Sequence, residues 1–163
     1  MRYARHTLVL AVAVLSWPST ALAQSDTATL NASVASLVRL SVSSTSLTFP
    51  DADPDTIPLV PASPAVITII AKSRTPPGGA VTLTVEATDD LRSGVTTIPA
   101  SSITWTAAGP GFVSGTLGRT PQTVASWTGS GVRTGTQTFL FRNLWTYAIG
   151  TYTVTIIFTL SAA

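Results

Sequence analysis

The stretch Gly150-Thr-Tyr-Thr-Val-Thr-Ile-Ile-Phe-Thr-Leu160 decides the fold class. Tyr152, Val154, Ile156, Phe158 and Leu160 alternate with Thr151, Thr153, Thr155 and Thr159, and only Ile157 interrupts the polar set. A period of two with one apolar face is the pattern of a half-buried strand. Working outward, Ala80–Thr88 (AVTLTVEAT) repeats it, with Val81, Leu83, Val85 and Ala87 on one face and Thr82, Thr84, Glu86 and Thr88 on the other. The β-branched run Ala65–Ser73 (AVITIIAKS) precedes it, separated by Arg-Thr-Pro-Pro-Gly-Gly at 74–79, a strong turn signal. Residues 65–88 therefore read as a hairpin or adjacent antiparallel pair. Further strands are expected at SITWTAA (102–108), QTVASW (122–127) and GTQTFLFRN (135–143), punctuated by Gly109-Pro110-Gly111 and Gly129-Ser130-Gly131. No helical periodicity follows residue 23. Short strands with frequent Gly and Pro turns predict an all-β, antiparallel sandwich, with a barrel as the alternative.

The start of the chain has a different character. Arg2 and Arg5 precede the apolar run Leu8–Leu15, and Ala21-Leu22-Ala23 supplies a small-x-small site. This is the layout of a secretory signal peptide cut after Ala23, and the run is too short to span a bilayer. The expected mature chain is a single domain, 24–163, exported to the periplasm, the cell surface or the medium. No Cys follows the cut to carry a lipid, and no apolar tail closes the sequence, so no membrane-anchoring segment is expected in the mature protein.

Beyond residue 23 the bases Arg39, Lys72, Arg74, Arg92, Arg119, Arg133 and Arg142 equal in number the acids Asp26, Asp51, Asp53, Asp55, Glu86, Asp89 and Asp90. The net charge is zero, and no basic stripe is expected to meet nucleic acid. The single His is His6 and there is no Cys. A Ser-His-Asp triad, a thiol nucleophile, a zinc site of the usual ligands and a haem-binding His are thereby excluded from the mature chain. The sequence predicts no catalytic residue, no metal site and no cofactor.

Thr48–Pro58 (TFPDADPDTIP) places Asp51, Asp53 and Asp55 at alternate positions. The spacing superficially matches a calcium loop. However, Thr56 and Ile57 stand where the sharp-turn Gly belongs, and Ala62 where the closing Glu is needed. The reading is a stiff polar connection whose aspartates cap backbone N–H groups. A carboxylate pair for glycoside hydrolysis would have to come from these aspartates, Glu86 and Asp89-Asp90, and nothing in their placement marks a pair. Among the aromatics, Trp105 shares parity with Ile103 and reads as core, while Trp127, Trp145 and Tyr147 are candidates for stacking on a glycan.

Leu30, Ala32, Val34, Ser36, Val38, Leu40 and Val42 share one parity. As one strand, 30–42 would extend roughly 40 Å, longer than a small sandwich needs. The simpler reading is a first strand that bends from one sheet to the other. The alternative makes 24–36 an arm whose Leu30, Ala32 and Val34 pair with a neighbouring molecule by strand addition.

Gly150-Thr151-Tyr152 resembles the tyrosine corner of immunoglobulin-like domains, in which a Tyr near a strand start hydrogen-bonds back along the chain. The ending GTYTVTIIFTL, the alternating arm and Ser46-Leu-Thr-Phe-Pro-Asp51 resemble spore coat U-like pilins of archaic chaperone–usher fimbriae. Phe158-Thr159-Leu160 is similar to the Trp-x-Leu ending of WxL wall-binding domains, with Phe in place of Trp. These resemblances imply an immunoglobulin-like sandwich and an exported, non-catalytic surface or fimbria-like subunit with structural or adhesive work. They imply self-association by strand pairing as its partner chemistry. The alternative function is a small extracellular glycan-binding module.

Overall fold

The computed structural model describes residues 26–163. The expected signal peptide and its Ala21 and Ala23 lie outside the described residues. The chain divides into two units, Met1–Ser33 and Val34–Ala163. Of the first, residues 26–33 are described; they are exposed and carry no regular secondary structure.

The second unit is built of strands: β1 (Leu37–Val42), β2 (Leu59–Pro61), β3 (Ile67–Arg74), β4 (Ala80–Ala87), β5 (Leu91–Ser93), β6 (Thr96–Ile98), β7 (Ile103–Ala108), β8 (Gly115–Thr116), β9 (Gln122–Thr128), β10 (Gly131–Arg142) and β11 (Ile156–Ala162). A 3₁₀ turn at Ala100–Ser102 is the only helical element among the described residues. All strand pairs are antiparallel. One sheet has the order β1-β3-β10-β7-β8 with β2 added on β10, a second has the order β11-β4-β9, and β5-β6 forms a small ribbon.

The two large sheets share one core, and the sequence alternation sets which residues enter it. Ile67, Ile69 and Ala71 of β3 and Val81, Leu83, Val85 and Ala87 of β4 are buried, while Lys72, Arg74 and Ala80 stay outside. Trp105 and Phe139, each 1% exposed, pack with ring centroids 6.1 Å apart at the centre. Each such side chain contributes roughly 1.5–3 kcal/mol on leaving water. Gln137 is also 1% exposed, and neither amide atom finds a hydrogen-bond partner among the protein groups. In β9 the register shifts opposite Leu83 and Thr84, so that Val124 and Ala125 are both buried, the mark of a β-bulge.

The connection at 74–79 differs from expectation. The Gly79 N–H donates to the Pro76 carbonyl at 3.0 Å and Gly78 has φ +77°, as a type II turn with Pro77 and Gly78 at its centre requires. Yet β3 pairs with β1 and β10, and β4 pairs with β11 and β9. Residues 65–88 are thus not a hairpin: the turn carries the chain from one sheet to the other. A turn signal marks where the chain reverses but not which neighbours its strands take.

The first and last strands are also shorter than their alternation. Pairing begins at Leu37, and 26–36 form no strand, so the bent strand shared between two sheets is not seen. At the other end, regular pairing covers Ile156–Ala162, with an isolated bridge between Thr153 and Arg92 before it.

Candidate functional site

The two edges between the large sheets are built differently. On the β8/β9 side, the segment following β7 joins both sheets. Phe112 bridges to Ala125, the Val113 N–H donates to the Val124 carbonyl at 2.8 Å, and β8 pairs with β7. The Trp105 indole N–H donates to the Val113 carbonyl at 2.8 Å. Its ring covers Gly115, where a Cβ would lie 2.5 Å from Cζ2, so this close approach requires glycine.

On the opposite side β1 and β11 are each the last strand of their sheet, and no strand among the described residues bridges them. Along this side, between the segment that follows β1 (42–49) and the segment that leads into β11 (152–158), runs an apolar groove of about 520 Å³. Val42, Leu47 and Phe49 form one wall, Tyr152, Val154, Ile156 and Phe158 the other, and Ile67, Phe139 and Ile103 reach its floor. The wall residues are half-buried, whereas the floor residues are at most 5% exposed. A smaller depression at Ser36–Val38 and Leu160–Ala163 marks the other end of the same edge. Thus β1 starts at the end where β11 finishes, and the two edge strands run in opposite directions.

Specific contacts fix Phe49 and Tyr152 of the groove walls. Phe49 packs on Phe141 at 5.7 Å and Phe141 on Tyr147 at 5.8 Å. The Tyr152 hydroxyl donates to the Ala148 carbonyl at 3.0 Å and lies 3.1 Å from Thr96 Oγ1. Leu47 and Phe49 were not singled out from sequence, although their alternation in Ser46-Leu-Thr-Phe was the available signal.

Of the residues proposed as an assembly strand, Leu30 is 95% exposed, Val34 is 70% exposed and Ala32 is exposed. The three aromatic candidates separate. Trp127 is half-buried, its indole N–H donating to Ser73 Oγ at 3.2 Å, and Tyr147 is half-buried, its hydroxyl 2.9 Å from Ser102 Oγ. Trp145 is 70% exposed, and its indole N–H donates to Asp55 Oδ1 at 3.0 Å.

The 51–58 loop is a tight polar turn. The Asp55 N–H donates to Asp53 Oδ1 at 2.9 Å and the Ile57 N–H to the Asp53 carbonyl at 2.8 Å. Asn143 fastens it from outside, giving its side-chain N–H to the Ala52 carbonyl at 2.7 Å and its backbone N–H to the Pro58 carbonyl at 2.9 Å. Among the described residues no three His, Cys, Asp or Glu side chains converge as a metal site would need. Asp89 is held below the ordinary aspartate range, first by the hydrogen bond from Arg92 and then by the Asp90 N–H; Arg92 is raised in turn by Asp89. The Arg92–Asp89 ion pair is 2.7 Å long and largely solvated, so it belongs to the surface. No helix among the described residues is long and apolar enough to cross a membrane.

No protein-family model matches this chain, and a search of curated proteins returns no similar sequence.

Proposed function

We propose that this protein is an exported, non-catalytic structural subunit of an immunoglobulin-like sandwich kind, one strand short of closure, which assembles by lending the 24–36 arm of one copy to the groove of the next. The observation that carries this reading is the open edge: an apolar groove between the segments that continue β1 and lead into β11, the two strands that end their sheets on this side. An unpaired edge is a template for a further strand. The arm offers the matching pattern, with Leu30, Ala32 and Val34 on one face and Asn31, Ser33 and Ala35 on the other.

Chain direction favours a second copy over self-closure. Antiparallel pairing with β11 requires a strand that runs the same way as β1. An arm folding back from Leu37 into its own groove would run the other way, parallel to β11, and parallel pairing is slightly the weaker kind. Reversing it would need a return loop of roughly seven residues at about 3.4 Å each, beyond the residues that fill the groove.

Light scattering coupled to size exclusion tests this. The chain 24–163 is expected to form a ladder or polymer, and a version starting at Leu37 to be monomeric. Leu30→Asp with Val34→Asp in the longer chain should reproduce the monomer. A longer chain that stays monomeric at high concentration would overturn the reading. The glycan alternative rests on Trp145 alone, since Trp127 and Tyr147 have inward partners; Trp145→Ala should then abolish retention on a polysaccharide column while the melting temperature holds.

A further inference from the structure

The zero net charge beyond residue 25 hides a separation. Of the seven bases, Arg39, Lys72 and Arg74 share the outer face of one sheet at the end where β1 begins, and Arg133 lies at the same end on the opposite face. The register places Leu37 opposite Arg74, Arg39 opposite Lys72, and Ala71 opposite Arg133. Arg39, Lys72 and Arg74 are exposed, Arg133 is half-buried, and none of the four is in an ion pair among the described residues. No Asp or Glu occupies the strand ends or turns there, 37–40, 71–80 and 129–133.

The opposite end is acidic. Asp51, Asp53 and Asp55 are exposed on the loop that follows the groove wall Phe49 directly, and Asn143 pins that loop beside the end of β10. Arg142 is the one nearby base without an acid partner among the described residues; Arg92 and Arg119 are engaged by Asp89 and Asp90. Val95 and Ile149, fully exposed, belong to the same end: Gly150 abuts the Ser93 side chain, and Tyr152 meets Thr96.

An arm paired antiparallel to β11 leaves the groove at its Leu47–Phe49 and Tyr152 end. The body of the copy that lends the arm then lies against that end, and it arrives with its own Leu37 end foremost. The basic end of one copy is therefore brought to the acidic end of the next.

We propose that these two ends are complementary mating faces between successive copies of this chain, Arg39, Lys72 and Arg74 of one copy meeting Asp51, Asp53 and Asp55 of another. This deepens, and rests on, the strand-lending reading. Opposite charges on approaching faces steer encounter and disfavour wrong orientations. They also set polarity: head meets tail, while head-to-head contact brings like charges together.

The test uses the full chain expressed from its own start, with the exported product collected and its assembly followed by light scattering at low and high salt. The range from about 20 mM to about 500 mM takes the screening length from well above to below the span of a contact, and the assembly rate should fall at least about tenfold. Asp51→Lys with Asp55→Lys, leaving the Asp53 turn intact, should slow assembly by a similar factor at low salt, as should Lys72→Glu with Arg74→Glu. Mixing the two variants should recover the rate, which misfolded variants would not do. Binding of the uncharged peptide 28–36 to the Leu30→Asp, Val34→Asp chain reports on the groove alone and should be indifferent to both salt and reversal. If the peptide binds but assembly ignores salt and charge reversal, the mating faces are overturned and strand lending stands. If the peptide does not bind and nothing assembles, both readings fall. Retention on a polyanion column without self-assembly would give the basic end a different occupant and would likewise overturn the proposal.

Discussion

The β8/β9 edge and the β1/β11 edge enclose the same core in opposite ways. At the first, one chain segment hydrogen-bonds to both sheets and lays Phe112 and the Trp105 indole across the gap. At the second, each sheet ends in a strand paired on one side only, and half-buried apolar walls continue from those strands. The difference teaches that the core is finished from within the unit on one side only. On the other, the floor is buried but the apolar walls stay half exposed. Stability and assembly should therefore respond to different residues.

The largest expected effect is at the closed edge. Trp105→Ala removes a ring that is 1% exposed together with its bond to Val113, and should cost about 3–5 kcal/mol in denaturant unfolding. A loss below about 1 kcal/mol would mean that this edge does not hold the sheets. Next comes closure of the open edge. Residues 28–36 joined behind Ala163 by a short Asn-Gly turn would run antiparallel to β11 within one chain. We expect a monomer stabilised by about 3 kcal/mol, comparable to a ligand at a hundred times its dissociation constant. An unchanged melting temperature would show that the groove does not take this sequence.

A smaller gain is expected inside the core, away from either edge. Gln137→Leu replaces an unpartnered buried amide by an apolar group of similar size and should stabilise by roughly 1–2 kcal/mol, read from the urea midpoint at constant m. A loss of stability would mean that the amide is satisfied in solution. The smallest effect is electrostatic. Because the folded-state pKa of Asp89 lies below its unfolded value, its contribution is present above the ordinary aspartate pKa of about 4 and fades as pH falls through the lower folded value. Arg92→Ala should flatten the slope of melting temperature against pH only below about pH 4 and leave it untouched at neutrality. A change in slope near pH 7 would assign that dependence elsewhere.

The sequence made the strand faces legible because alternation is local: Val81, Leu83, Val85 and Ala87 went inside as their parity required. Sheet membership was not legible at 65–88, since Pro-Pro-Gly-Gly reads the same in a hairpin and in a crossing between sheets. The alternation of Tyr152 and Val154 was read as continuous strand although regular pairing starts at Ile156, with only the Thr153 bridge before it; Tyr152 and Val154 line the groove. Trp127, Trp145 and Tyr147 looked equivalent in sequence. Their difference depends on partners distant along the chain, Ser73, Asp55 and Ser102. The charge separation was hidden for the same reason: the composition sums to zero, and only the register of β1, β3 and β10 brings four bases to one end.

The register of β1 has a mechanical side. Tension on residue 36 enters at Leu37 and runs along the strand, while the hydrogen bonds of an antiparallel pair lie across it. The pairs from Leu37–Arg74 to Val42–Ile69 are then strained together, in shear, instead of being peeled open one after another. A string of such units pulled end to end would resist as a rope does rather than as a zip.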